Sequence, residues 1–307
     1  MTKPVRLGTR ASALAIIQTE ELRDRLMAAH PGLRVPGGIE IVPISTSGDK
    51  TQDRALAEIG GKGLFTKEIE EHLADGRIDM AVHSMKDVPT FLPGGFAVPC
   101  VLVRADARDV LLGAPSLAAL SSGAIVGTAS LRRQSQLLHR RPDLKIVLFR
   151  GNVNTRLRKL GEGQAQATIL ARAGLDRLAM ADLGCTLSVE DMLPAVAQGA
   201  IGVEIRGDDE HARALLAPLN DAASFAAVAC ERALLATLDG SCRTPIAGLA
   251  ELDGGQLHLR ALVARPDGTA LWRAERRGAR EDAERLGRDA GAELRGRADG
   301  TIFEGPR

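Results

Sequence analysis

Residues 124 to 183 repeat one pattern three times, and that repetition limits the fold more than any other feature of the chain. AIVG is a short apolar run, after which Ser130-Leu131-Arg132-Arg133 opens a helical stretch that stops before Pro142. KIVLFR is the next run, and Gly151-Asn152 leads into VNTRLRKLGEG. ATILA is the third, and Gly174 leads into LDRLAMADLG. Such alternation predicts strand, helix, strand, helix, and strands joined by crossover helices lie parallel. The centre of the chain is therefore expected to be an α/β unit.

The flanking regions differ from it. VRLGT reads as a strand, Thr9 to Ser12 offer N-cap residues, and Leu14 to Ala29 form a helix ending at His30-Pro31-Gly32. IEIVPIST is a strand. Residues 47–63, SGDKTQDRALAEIGGKG, are polar and glycine-rich without a period, and read as a mobile loop of the kind that serves as a lid. LFTKEIEEHLADG is an amphipathic helix closed by Gly76, and RIDMAVHSMKDVP holds a strand ending near His83. Beyond residue 220 comes a long helix, DAASFAAVACERALLATLDG, capped by Asn220 or Asp221. AGLAEL, QLHLRALVARP and ALWRAERRG follow, joined at Asp253-Gly254-Gly255 and Pro266-Asp267-Gly268. Those turn residues predict an antiparallel sheet, and the helix EDAERLGRDAGAELRGR completes a small α+β domain.

A chain of 307 residues exceeds one ordinary core, so two or three domains are expected. Hydrophobic content of 45% with a net charge of +1 describes a folded globular protein rather than a disordered one. MTKPVRLGTR lacks the apolar run of a signal peptide, and no apolar stretch is long enough to span a bilayer. Cys100, Cys185, Cys230 and Cys242 show no CxxC spacing and no nearby paired His, which argues against zinc, and the lack of a secretory signal leads to the expectation of free thiols in a reducing compartment.

Of the 40 basic residues, 33 are arginine. A compositional preference accounts for part of this; arginines that grip carboxylates or phosphates bidentately are the second account, and the two are compatible. The repeat favours the second. Arg132 and Arg133, then Arg150 and Arg156, then Arg172 and Arg177 follow the three strands closely. Ligands of open α/β sheets bind at the carboxyl ends of strands, where helix N-termini add N–H donors. Six arginines there form either an anion site or a solvated basic rim. No Walker loop and no GxGxxG fingerprint accompany them. Aromatic content of 2% leaves few stacking platforms for nucleic acid.

Two further stretches carry chemistry. His83, Ser84, Lys86 and Asp87 gather polar groups after a strand, forming either a surface turn before Pro89 or a site where Asp87 acts as acid/base or counter-charge to a developing cation. LDGSCRTPIAG places Cys242 in a loop, where a thiol is accessible, whereas Cys230 in a helix, and with it Cys100 and Cys185, reads as packing.

HSMKDVP at 83–89, GTASLRRQ at 127–134, LFRGNVNTR at 148–156 and AVAQGAIGVE at 195–204 resemble the porphobilinogen deaminase (hydroxymethylbilane synthase) family, and the likeness runs nearly end to end. The resemblance implies a transferase of haem biosynthesis that joins four porphobilinogen molecules head to tail, with loss of ammonia, into linear hydroxymethylbilane. The implied cofactor is dipyrromethane, attached to Cys242 as a thioether and extended ring by ring. Each ring brings an acetate and a propionate, so a growing chain needs cationic partners to be desolvated.

The implied roles follow residue by residue. Asp87 matches the catalytic aspartate. Ser84, Lys86, Asp87, Thr128 and Ser130 match the cofactor's surroundings, together with Arg132, Arg133, Arg150 and Gly151. Arg10, Ser12, Gln18, Lys62 and Phe65 match substrate-binding positions, as do Arg150, Arg156, Arg177 and Gln198. No metal is implied. Glu58, Ala129 and Ala197 depart from the family pattern, and Arg172 lies where relatives can carry an apolar residue. The implied fold has two type II periplasmic-binding-protein-like domains, 1–102 with 199–217 and 103–198. A C-terminal α+β domain with a three-stranded antiparallel sheet, 218–307, completes it. The expected protein is a cytoplasmic monomer with no membrane or nucleic-acid partner. The rival reading keeps the fold and drops the chemistry: a non-catalytic two-domain carboxylate-binding protein, which has no use for Cys242.

Overall fold

The computed structural model describes residues 4–50, 63–239 and 244–302. Glu58, Lys62 and Cys242 lie outside the described residues, as does most of the stretch expected to be a loop at 47–63. The first elements are β1 (Val5–Arg10), α1 (Ala13–Ala29), β2 (Ile39–Ile44), α2 (Ser47–Lys50), α3 (Lys67–Ala74), β3 (Met80–Ser84) and β4 (Phe96–Val101). Then come β5 (Asp109–Leu112), β6 (Ile125–Gly127), α4 (Leu131–Arg140), β7 (Lys145–Val147), α5 (Val153–Gly161), β8 (Ala167–Ala171), α6 (Arg172–Arg177) and β9 (Cys185–Thr186). The last are β10 (Ile201–Arg206), α7 (Glu210–Leu216), α8 (Ala222–Thr237), β11 (Ile246–Asp253), β12 (Gln256–Ala264), β13 (Leu271–Ala279) and α9 (Ala283–Arg297).

The chain divides into two compact units. The first draws on Met1–Thr51, Gly61–Ala105 and Ala200–Phe225 and contains a five-stranded sheet in the order β2-β1-β3-β10-β4. β1 runs parallel to β2 and β3, while β10 is antiparallel to both β3 and β4. Helix α1 covers one face through Leu22 and Leu26, packed with Leu7, Met80 and Val82. Helix α3 covers the other through Ile69 and Leu73, packed with Ile78 and Ala81. Pro43 and Pro99 both fall within strands, β2 and β4. Those are the sheet's two edges, where a missing N–H costs least.

The second unit holds a five-stranded sheet in the order β7-β6-β8-β5-β9. It repeats the same plan: a parallel trio, one antiparallel strand (β5), then an edge. The three repeated strand–helix segments are thus adjacent parallel strands, as their alternation predicts. Leu137 of α4 packs with Leu111 and Ile169 on one face, and Leu157 of α5 with Val110 and Leu170 on the other. The same unit carries the three-stranded antiparallel sheet β11-β12-β13. Cys230 and Leu234 of α8 and Leu286 and Ala290 of α9 pack against it. The fold is the expected α/β class with a C-terminal antiparallel sheet.

Caps set the helix starts. Ser12, Ser130, Asn152 and Asp221 each accept from the backbone N–H three residues on, which removes one orphan donor per helix. Asp221 is the cap of α8, while the Asn220 side chain accepts from Val101 N–H. Three local expectations are corrected. α6 starts at Arg172, ahead of Gly174, and stops at Arg177, with Ala179 left-handed at φ 56°. Ser47–Lys50 is a helical turn rather than loop. β10 is an additional strand whose partners, β3 and β4, lie far away in the chain.

Ala197 is left-handed at φ 58° and 1% exposed, and its N–H donates to Glu231 at 2.5 Å. A Cβ in that conformation is strained by about 1 kcal/mol. Ala197→Gly keeps the hydrogen bond and relieves the strain, but it frees the unfolded chain and removes a buried methyl, so urea denaturation is expected to show a change of no more than about 1 kcal/mol.

Candidate active site

β1 and β3 are parallel neighbours, so their carboxyl ends share one edge of the first sheet. Arg10 is the last residue of β1, and Ser12 caps α1 just beyond it. Ser84 is the last residue of β3, and Met85–Asp87 form a single 3-10 turn in which Lys86 is exposed. Gln18 reaches back from α1: its amide nitrogen donates to Ser84 Oγ at 2.9 Å, and Ser84 Oγ lies 3.0 Å from Gln18 Oε1. The Arg10 guanidinium stacks on Phe65, 4.2 Å from the ring centroid, and its Nη1 is 3.7 Å from Asp87 Oδ2. An aromatic face and a carboxylate thus orient one cation, and the Asp87 side chain keeps 29% exposure for an incoming group. Seven of the expected residues are therefore gathered here: Arg10, Ser12, Gln18, Phe65, Ser84, Lys86 and Asp87.

The carboxyl ends of β7, β6 and β8 form the corresponding edge of the second unit. Thr128 is buried, and its Oγ1 accepts from Ser130 N–H at 3.1 Å, shaping the turn into α4. Gly151 has φ 114°, and a Cβ there would lie 2.5 Å from the Thr155 side chain, so only glycine fits the turn into α5. Arg156 Nε donates to Gly151 O at 3.0 Å, and Arg177 Nη2 to Gly199 O at 3.3 Å. Arg150 is 7% exposed, and its carbonyl accepts from Lys159. The N-termini of α4 and α5 face the same edge and favour anions there.

Arg132 and Arg133 do not simply line that edge. Both turn onto Asp109 at the start of β5, at 2.8 Å each, and Asp109 is completely buried. Arg132 also donates to Leu193 O, and Arg133 to Ile169 O, both at 2.8 Å. Gln198 joins the same carboxylate at 2.9 Å and donates to Ala107 O at 2.6 Å. Burial pushes the Asp109 carboxyl up, but the two guanidiniums outweigh it and hold the group well below the usual carboxylate range. Sequence reasoning missed Asp109. Its signal was an acid opening the apolar run DVLL, since an acid inside a buried strand needs a cationic partner.

One donor of this network is left over. Arg132 Nε is buried and has no hydrogen-bond partner. An unpaired guanidinium N–H fits a carboxylate-bearing group. The residues expected around the dipyrromethane are therefore chemically suited to it.

Two of the three described thiols do not compete for that role, while the third, Cys185, is half-buried on β9. Cys100 and Cys230 are fully buried. Burial pushes the Cys100 thiol up to about 12. Burial, reinforced by Glu231, does the same to Cys230. Neither forms thiolate at neutral pH, so brief iodoacetamide treatment of the native protein at pH 8 is expected to leave both unmodified, read by peptide mass spectrometry.

Each of the two sheet edges carries guanidinium groups and hydroxyls, and the first also carries an oriented carboxylate, so each is chemically suited to hold carboxylate groups. Residues 5–214 match the family model described as porphobilinogen deaminase, dipyromethane cofactor binding domain, and residues 225–296 match porphobilinogen deaminase, C-terminal domain. The chain belongs to the porphobilinogen deaminase family. It is 55% identical to the chloroplastic porphobilinogen deaminase of Pisum sativum, over 98% of this chain and 84% of that one. It is 54% identical to the porphobilinogen deaminase of Paracoccus denitrificans, over 98% and 96%. Among solved structures it is similar to a TRAP periplasmic solute binding protein from Desulfovibrio salexigens, with 12% identity, 71% and 73% coverage and a TM-score of 0.42.

Proposed function

We propose that this chain condenses four porphobilinogen molecules head to tail into hydroxymethylbilane, with Asp87 beside the reacting ring. Family membership supports the overall reaction, and the Phe65–Arg10–Asp87 arrangement supports the assignment of roles. Arg10 binds an acetate or propionate of the incoming pyrrole and so fixes the ring against Asp87. As ammonia departs, positive charge spreads over the ring, and the Asp87 carboxylate offsets it while accepting a hydrogen bond from the pyrrole N–H. Ser84 is held by Gln18, which keeps the turn bearing Lys86 and Asp87 in place. Arg150, Arg156 and Arg177 bind further carboxylates as rings accumulate.

A dipyrromethane held through Cys242 supplies the terminal pyrrole carbon from which the product grows. Ser84, Lys86, Asp87, Thr128, Ser130, Gly151, Arg132, Arg133 and Arg150 would surround it, with the orphaned Arg132 Nε donating to one of its carboxylates. Lys62 and Gln198 complete the assignment as substrate-side residues. The working form is a cytoplasmic monomer divided as 1–102 with 199–217, 103–198 and 218–307. Light scattering tests the monomer.

Intact mass tests the whole reading. The purified protein is expected to weigh more than its sequence by two pyrrole units. Porphobilinogen should add further units, and Cys242→Ala should carry none. Unmodified protein that still makes product removes the tethered chemistry; unmodified protein that binds carboxylates without turnover leaves the non-catalytic binder.

A further inference from the structure

β3 sends its side chains alternately to two faces. Met80 and Val82 join the cluster of α1, and Ser84 continues that face to meet Gln18. Ala81 joins the cluster of α3, and His83 continues the other face. His83 is 5% exposed, and its Nε2 lies 2.9 Å from Oε2 of Glu204, which is completely buried on β10. The two are diagonal neighbours on the ladder, since His83 pairs with Gly202 and Ala81 with Glu204. Gly202 leaves room for Met85, whose sulfur would lie 2.0 Å from a Cβ at that position. Met85 opens the turn that carries Asp87, and its N–H donates to Ala200 O at 3.0 Å.

A buried imidazole–carboxylate bond is a costly way to fill a core, because both groups lose water. Its advantage over an apolar contact is direction: it fixes the lateral position of β3 against β10 immediately before the turn. Glu70 of α3 stands near it: burial pushes its carboxyl up, the Thr66 side chain opposes, and smaller influences come from Glu204, which raises it, and His83, which lowers it. We propose that His83 and Glu204 are positioning residues for the condensation: their buried bond sets the end of β3 and hence the place of the Asp87 carboxylate. The inference rests on the role given to Asp87 above.

The test is the double variant His83→Leu/Glu204→Leu, which removes both partners together, so that neither is left buried alone, and is expected to fold. Circular dichroism and urea denaturation establish that it does. Misplacing the carboxylate is expected to lower kcat at least about tenfold with KM within about threefold of wild type. His83→Gln, which keeps a donor where Nε2 stood, should recover most of that kcat. A folded double variant with wild-type kcat overturns the proposal, as does a folded His83→Gln no faster than the double variant. Should the double variant not fold, Glu204→Gln decides by the same kcat and KM split. Wild-type protein that fails to consume porphobilinogen overturns the functional reading instead, so the two failures are distinct.

Discussion

Asp87→Ala is expected to lower porphobilinogen consumption by about 10²–10³-fold while leaving the chain folded. The size follows from what the carboxylate does. It is a preorganised anion where positive charge develops as ammonia leaves, and alanine offers neither charge nor acceptor. The fold should survive because Asp87 lies in a partly exposed turn and its ion pair with Arg10 spans 3.7 Å, too long for a strong hydrogen bond. Asp87→Asn separates the two contributions: it keeps an oxygen for the pyrrole N–H but not the charge, so it should stay close to the alanine variant. Turnover within a few-fold of wild type for Asp87→Ala takes the residue out of the mechanism.

The second large effect falls on stability. Asp109→Asn leaves Arg132 and Arg133 buried without their shared anion, and is expected to cost about 3–5 kcal/mol in urea denaturation. That is a large share of what keeps a typical domain folded. The pH dependence has a definite sign. The folded carboxyl is held below its unfolded value, so its contribution is present above the unfolded pKa and is lost as pH falls through the folded one. The gap between wild type and Asp109→Asn should therefore stay flat above about pH 5 and narrow only in strong acid. A cost under about 1 kcal/mol at neutral pH would show that the guanidiniums find other partners.

Parts of the site were legible because their chemistry is local. Ser12, Ser130 and Asn152 announced helix starts, and in each case the side chain accepts the expected N–H. HSMKDVP marked a strand end with four polar residues, and the structure assembles Arg10, Gln18 and Phe65 around that turn. Pro43 and Pro99 make sense within β2 and β4 only because the sheet order puts both strands at an edge. The arginines that follow β6 were identified as carboxylate partners, but one buried carboxylate belongs to the protein itself.

By itself, the sequence determined the alternation of strands and helices, the caps, the hairpin turns and the family of the chain. All of these rest on residues close together or on motifs in order. Only the tertiary structure decided that β10 enters between β3 and β4, that Asp109 pairs with two arginines, and that His83 meets Glu204 across 121 positions. Pairing of buried charges depends on which strands become neighbours, and no local pattern encodes a partner that far away.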